Sequence, residues 1–348
     1  MISQAKLTQA LEGVLVPGAR RDLVKMNLVR GLTVAGDKVS VVIAAAALPP
    51  PTHDWLKAKV EEALMKERGV KSVEVKVIDA KPAEVNAVGK VIAVMSGKGG
   101  VGKSLVSGLL AVSLQQAGYE VGILDADITG PSIPRMFGLS GVKPAGNEDS
   151  LIPVLSANGI EVMSINLMLE NEDEPVIWRG PVVAKVIQQF WQDTLWGKLD
   201  YLIVDLPPGT SDAPLTVMQS LPVAGAVVVL SPQQLAAMVV RKAVKMAKKL
   251  SIPVLGVVEN LAYFEIPGSK KRVELFGPSR LAEMAEAAET KLTVQLPVDT
   301  RLAALCDNGK IEQYRSKDFD TFAKALAAAP VKPKVQMPGG QQTKTTFP

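Results

Sequence analysis

The sequence predicts an α/β protein: a doubly wound, mostly parallel sheet preceded by a small α+β domain. Three observations lead there. From Lys90 onward, short apolar runs alternate with longer helical stretches, the signature of strands and crossover helices. The first 78 residues lack that alternation and follow a different order of elements. At 348 residues the chain also exceeds the roughly 100–200 residues of one domain.

Residues 1–78 form the first unit. Ala5 to Leu15 reads as an amphipathic helix stopped by Val16-Pro17-Gly18. Val24–Val34 and Lys38–Ala45 read as strands around a turn at Gly36-Asp37. Thr52 or Asp54 can cap a helix running to about Glu67, and Lys71–Ile78 alternates as a third strand. Residues 79–89 mix Lys, Pro, Ala, Glu and Asn without a period and read as a linker.

Residues 90–330 carry five apolar runs: Val91–Met95, Val121–Leu124, Leu202–Val204, Ala226–Leu230 and Val254–Val258. Runs of this length suit strands buried on both faces of a parallel sheet. Helical stretches at Lys103–Gly118, Val182–Trp191 and Leu235–Leu250 lie between them. Such a sheet binds ligands at the carboxyl ends of its strands. Phe190, Trp191, Trp196, Met238 and Met246 read as packing residues between helix and sheet. Residues 331–348, rich in Pro, Lys, Gln and Gly, read as a disordered tail.

Composition excludes several functions. Lys plus Arg is 39 against 35 Asp plus Glu, a net charge of +4 with no dense basic stripe, so no nucleic-acid partner is expected. The start of the chain has no signal-peptide apolar region, and no run of about 18 apolar residues exists, so a cytoplasmic location without membrane contact is expected. One cysteine, Cys306, excludes an internal disulfide or a Cys-x-x-Cys metal site. Cys306 reads as a small buried hydrophobe and the lone His53 as a surface or cap residue.

Gly97-Lys98-Gly99-Gly100-Val101-Gly102-Lys103-Ser104 satisfies G-x-x-x-x-G-K-[ST] between a strand and a helix. Glycines let the loop curl so that backbone N–H groups face a phosphate, and the following helix adds its positive end. Lys103 neutralises the β- and γ-phosphates, and the Ser104 hydroxyl is placed to bind Mg²⁺. The reading is a P-loop ATPase using ATP and Mg²⁺. Asp125 and Asp127 follow a strand at i and i+2 and can aim at one cleft, one acting through Mg²⁺ and one orienting the attacking water. We assign Asp125 to the metal and Asp127 to the water. Asp205 ends the run Tyr201–Asp205 and is the second metal carboxylate. The loop Leu206–Asp212 behind it suits a γ-phosphate sensor, stiff at its prolines and free at Gly209.

The form Lys98-Gly-Gly-Val-Gly-Lys103-Ser resembles the deviant Walker A group, which includes MinD, ParA, the nitrogenase iron protein and the Mrp/ApbC proteins. In that group the early lysine reaches the partner's nucleotide, so the resemblance implies a nucleotide-bridged homodimer with Lys98 acting in trans. Asp125–Gly138, Trp178–Pro181, Asp205–Thr210, Ser231–Gln233 and Gly256–Asn260 follow in the order of the Mrp/ApbC iron–sulfur cluster carrier ATPases, which the chain resembles over residues 88–315. Residues 1–78 resemble the iron–sulfur-assembly domain fused to bacterial members. The resemblance implies that Asn260 reads the adenine edge and that Pro297-Val298-Asp299 lies beside the base. It also implies a [4Fe–4S] cargo and an apoprotein or assembly partner.

The chain departs from that pattern at the thiolates. Where the family has Cys-x-x-Cys, this chain reads Glu259-Asn-Leu-Ala-Tyr-Phe-Glu-Ile-Pro-Gly-Ser-Lys-Lys271. Ala47-Leu48-Pro49 stands where the N-terminal module commonly has Cys before Pro, and Val239 stands where Asp is common. No iron–sulfur ligand is therefore assigned. The alternative reading is an ATP-dependent dimerisation switch of MinD/ParA type that recruits a protein without carrying a cluster.

Overall fold

The computed structural model describes residues 2–128, 130, 132–147, 149–169, 180–210, 212–269 and 271–330. The expected disordered tail, residues 331–348, lies outside the described residues. So do Trp178 and Arg179 of the family motif, Ser211, Lys270, and the side chains of Pro181, Met238 and Val239.

The N-terminal module runs α1 (Gln4–Glu12), β1 (Val29–Ala35), β2 (Lys38–Ala44), α2 (Pro50–Met65) and β3 (Ser72–Ile78). Its sheet has the order β1-β2-β3, with β1 antiparallel and β3 parallel to β2. Leu7, Leu11, Val41, Ile43, Leu56 and Leu64 fill the space between helices and sheet. The first expected strand is half a turn. Asp22 Oδ1 accepts from the backbone N of Val24 at 2.9 Å and of Lys25 at 2.8 Å, and Asn27 turns at φ 54. The second helix starts at Pro50, ahead of Thr52 and Asp54, because proline fits the first helical turn, where its missing N–H costs nothing.

The large sheet has eight strands: β4 (Ala87–Ser96), β5 (Val121–Asp125), β6 (Val154–Leu155), β7 (Glu161–Ser164), β8 (Lys198–Asp205), β9 (Val223–Leu230), β10 (Val254–Glu259) and β11 (Thr293–Gln295). Their order is β11-β10-β9-β4-β8-β5-β7-β6, and all neighbours are parallel except β6 with β7. The five expected strands are its five central ones. Helices cover both faces. On one side α4 (Gly180–Asp193), α5 (Asp212–Ser220), α6 (Gln234–Lys249) and α7 (Leu281–Ala288) share a core with Phe190, Trp196, Val204 and Val228. On the other, α3 (Lys103–Gln116), α8 (Thr300–Asp307) and α9 (Lys317–Ala328) enclose Ile92, Val94, Ile203 and Phe319. Both faces of the inner strands are thus dry, as a near-continuous apolar sequence requires.

Residues 79–89 are not a free linker, which corrects the sequence reading. Pro82–Val85 forms a helical turn with Val85 buried, and β4 already begins at Ala87. Asn86 holds the turn down: its Nδ2 donates to Thr194 O at 2.9 Å and its Oδ1 accepts from Gly197 N at 3.1 Å. The contact continues outward, since Ile152 and Leu195 complete the apolar core of the N-terminal module. In the same amino-terminal half of β4, Lys90 Nζ donates to the carbonyls of Ala327 and Ala329, and Tyr201 Oη donates to Ala327 O at 3.2 Å. Among the described residues, no helix is long and apolar enough to cross a membrane.

Candidate nucleotide site

β4 ends at Ser96, and the chain turns through Gly97–Gly102 into α3. Gly100 (φ 78) and Gly102 (φ 84) take left-handed conformations, which lets the loop fold back over the amino end of the helix. Two neighbours fix its course. Ser96 Oγ donates to Lys98 O at 3.0 Å, and Gly209 N donates to Ser96 O at 3.1 Å. The second bond draws the loop after β8 alongside the glycine-rich turn, with Pro208 next to Gly99.

Register brings the carboxylates together. Asp205 on β8 pairs with Asp125 on β5, and Asp125 pairs with Ser164 on β7, so one row crosses the carboxyl end of the sheet. Lys103 reaches into it from α3. Its ammonium is 2.8 Å from Asp205 Oδ2 and 3.4 Å from Asp127 Oδ2, with only 5% of the side chain exposed. Ser104 Oγ donates to Asp205 Oδ2 at 2.5 Å. Asp125 Oδ1 accepts from the backbone N of Asp127 at 3.2 Å, which joins the two aspartates of the pair. Burial and the neighbouring Asp205 charge push the Asp125 carboxyl up to about 8, against the pull of Lys103. One lysine and three carboxylates thus share a largely buried electrostatic centre at the carboxyl end of the sheet.

Two residues of this centre escaped the sequence reading. Ser107 Oγ donates to Asp205 Oδ1 at 2.6 Å, and Ser164 Oγ donates to Asp125 Oδ2 at 3.1 Å. Both serines are fully buried. The available signal was a serine one helical turn beyond Lys103, on the same helix face. For Ser164 the sequence held no comparable sign.

The remaining expected site residues are placed as follows. Lys98 Nζ donates to Gln233 Oε1 within the same chain. Asn260 follows β10 and is 3% exposed; its Nδ2 donates to Val101 O at 2.9 Å, which braces the phosphate loop from below. Its neighbour Glu259 accepts from Ser279 Oγ, Arg280 N and Gln295 Nε2. Asp299 caps α8 by accepting from Arg301 N at 2.8 Å, and its Oδ2 accepts from Tyr314 Oη at 3.0 Å. Pro297 lies two residues ahead of that cap, with Val298 N donating to Tyr263 O at 2.7 Å. Cys306 is on α8, away from this row, and burial with the Asp307 charge pushes its thiol up to about 11.

Comparison with known proteins gives the chain's family. A model of the NUBPL iron-transfer P-loop NTPase family covers residues 87–329. The chain belongs to that family. A second model, for iron–sulfur cluster assembly proteins, matches residues 4–77 of the same family member. The iron–sulfur cluster carrier protein of Aquifex aeolicus is 37% identical over 333 residues, covering 88% of this chain and 90% of the relative. That of Clostridium perfringens is 48% identical over 231 residues, covering 64% of this chain and 81% of the relative. Among solved structures, a nucleotide-binding protein from Archaeoglobus fulgidus in complex with ADP superposes with a TM-score of 0.61 at 47% identity, over 68% of this chain and 92% of that one. A MinC:MinD cell division complex from Aquifex aeolicus gives 0.52 at 17% identity, over 71% of this chain and 98% of that one, a likeness of fold alone. The P-loop NTPase iron–sulfur carrier group is therefore shown for this chain, with an α/β fold of MinD type.

Proposed function

We propose that this family member binds and hydrolyses ATP at the Gly97–Ser104 loop and uses the cycle in iron–sulfur cluster assembly. The observation that carries the reading is the convergence of Lys103, Ser104, Asp127 and Asp205 within hydrogen-bond or ion-pair reach at the end of a parallel sheet. The Gly97–Gly102 backbone and the start of α3 cradle phosphates, and Lys103 offsets their charge. The oxygens of Ser104, Asp125 and Asp205 suit a hard cation in their donor chemistry and would hold Mg²⁺, which when bound neutralises charge on the β- and γ-phosphates. Asp127 orients the attacking water at the mouth of the row. Asn260 fixes the loop from beneath and, with Pro297 and Asp299, borders the base. Lys98, partly exposed and bonded to Gln233, is the residue offered to the nucleotide of a second copy of the chain.

The cluster itself is cargo, and this chain does not fit it as a sole ligand source. A thiolate-ligated [4Fe–4S] cluster takes four cysteines. Each chain brings only Cys306, and its raised pKa disfavours the thiolate. The thiolates therefore come from the apoprotein or assembly partner, and this chain supplies the nucleotide-driven change of shape. Relatives at 37% and 48% identity are iron–sulfur cluster carrier proteins, which supports this reading over a MinD-type switch, whose support is a likeness of fold. The test is phosphate release from ATP by the purified chain with Mg²⁺ and with EDTA. Turnover that needs the metal is expected, and turnover unaffected by EDTA sinks the proposal.

A further inference from the structure

Among the contacts between the N-terminal module and the nucleotide-binding sheet is one buried arginine. Arg21 lies in the turn between α1 and β1, and its residue is 7% exposed. Its guanidinium meets two carboxylates: Glu120 Oε2 at 3.0 Å and Glu161 Oε1. Lys25 Nζ adds a contact to Glu120 Oε1 at 2.7 Å, and Asp22 beside Arg21 is occupied with the backbone of Val24 and Lys25. Glu161 is 2% exposed, so its charge depends on Arg21 for compensation.

The placing of the two carboxylates gives this contact its reach. Glu120 immediately precedes β5, and Glu161 is the first residue of β7. These are the two adjacent strands whose other ends carry Asp125 and Ser164, paired in register and joined by the Ser164–Asp125 hydrogen bond. Arg21 therefore clasps β5 and β7 at their amino ends, and Ser164 clasps them at their carboxyl ends, about 10 Å away along β7 and about 17 Å along β5 at the usual rise per residue. A planar guanidinium can hold two carboxylates in a fixed geometry, which a lysine cannot. A short extended strand held at both ends is constrained along its length, since sliding it breaks its ladder.

We propose that Arg21 is a positioning residue for the nucleotide reaction: it sets the relative height of β5 and β7, and through Ser164 the placement of Asp125. The N-terminal module thereby tunes turnover at a site it does not touch. This rests on the ATPase reading above. The coupling expected along such a packed path corresponds to about 5- to 10-fold in rate.

The test uses the full-length chain and steady-state ATP hydrolysis. Arg21→Lys keeps the charge and loses the double clasp, so kcat should fall about 5- to 10-fold with KM for ATP within about twofold. In a Ser164→Ala background the same substitution should add no further loss, because the second clasp is already open. Ile152→Val, which loosens the same module contact without touching the ion pairs, should leave kcat unchanged. If Arg21→Lys fails to fold, as judged by its melting curve, the half-exposed Glu120→Gln replaces it with the same expectation. Wild-type turnover combined with an unchanged kcat in the variant, a loss confined to KM, or losses that multiply in the double variant overturns the proposal alone. An absence of wild-type turnover overturns the ATPase reading and this inference with it.

Discussion

Asn260 Nδ2 donates to the carbonyl of Val101 at 2.9 Å, and a Cβ built on Gly102 would meet that same nitrogen at 2.1 Å. The phosphate loop is thus held by a side chain that tolerates no methyl group beneath it. Gly102→Ala must also adopt φ 84, which costs an L-residue about 1–2 kcal/mol. Fluorescent-nucleotide titration should show at least about tenfold weaker binding in Gly102→Ala, a loss of about 1.4 kcal/mol. Asn260→Ala should lose a comparable amount without the strain, since a buried carbonyl is left unpaired.

Lys103 is the one cation set among Asp127 and Asp205 in the described site. Lys103→Ala removes both the phosphate contact and the charge that compensates Asp205. Phosphate release should drop below about 1% of wild type, the order expected for losing a preorganised electrostatic contact. Hydrolysis at the wild-type rate would sink the site assignment.

Lys98 makes its hydrogen bond to Gln233 rather than to the carboxylate row, so it has no part in the arrangement within one chain. Lys98→Ala should reduce hydrolysis at least about tenfold more than it weakens nucleotide binding, consistent with a charge supplied to the transition state from outside. Equal loss of both, read by turnover and equilibrium titration on the same preparation, argues against a trans role.

The Cys306 thiol, pushed up to about 11, stays protonated at pH 8. The direction follows from its cause: burial and Asp307 disfavour the thiolate, so the reactive fraction is smaller than in a free cysteine at the same pH. Alkylation by iodoacetamide at pH 8 should be at least about 100-fold slower than for an unfolded control, from the pKa difference alone. Anaerobic incubation with iron and sulfide should leave the purified chain colourless. Iron bound in stoichiometric amount would show ligands other than Cys306.

Much of the candidate site was legible because it is made of local rules. The glycine loop, Lys103 and Ser104 are contiguous, and Asp125 and Asp205 each end an apolar run. What the sequence could not reveal is lateral. Asp125, Asp205 and Ser164 share a row only because β8, β5 and β7 pair in that register. β7 itself was missed because it opens on Glu161 and closes on Ser164, polar residues that read as loop but are buried against Arg21 and Asp125. Residues 79–89 misled for the opposite reason. Their composition is that of a linker, and only the distant partners of Asn86 make them structured. Fold class was secure since five runs of apolar residues outweigh such local errors.

Lys90 and Tyr201 hold the last turn of α9 at the end of β4 opposite the phosphate loop. Six residue steps of extended chain lead from Lys90 to Ser96, about 20 Å at the usual rise. A dye or surface tether attached at Pro330 therefore leaves from the end of the sheet opposite the phosphate loop. Such a label would follow how the whole particle rotates and assembles while leaving the entrance to the nucleotide cradle clear.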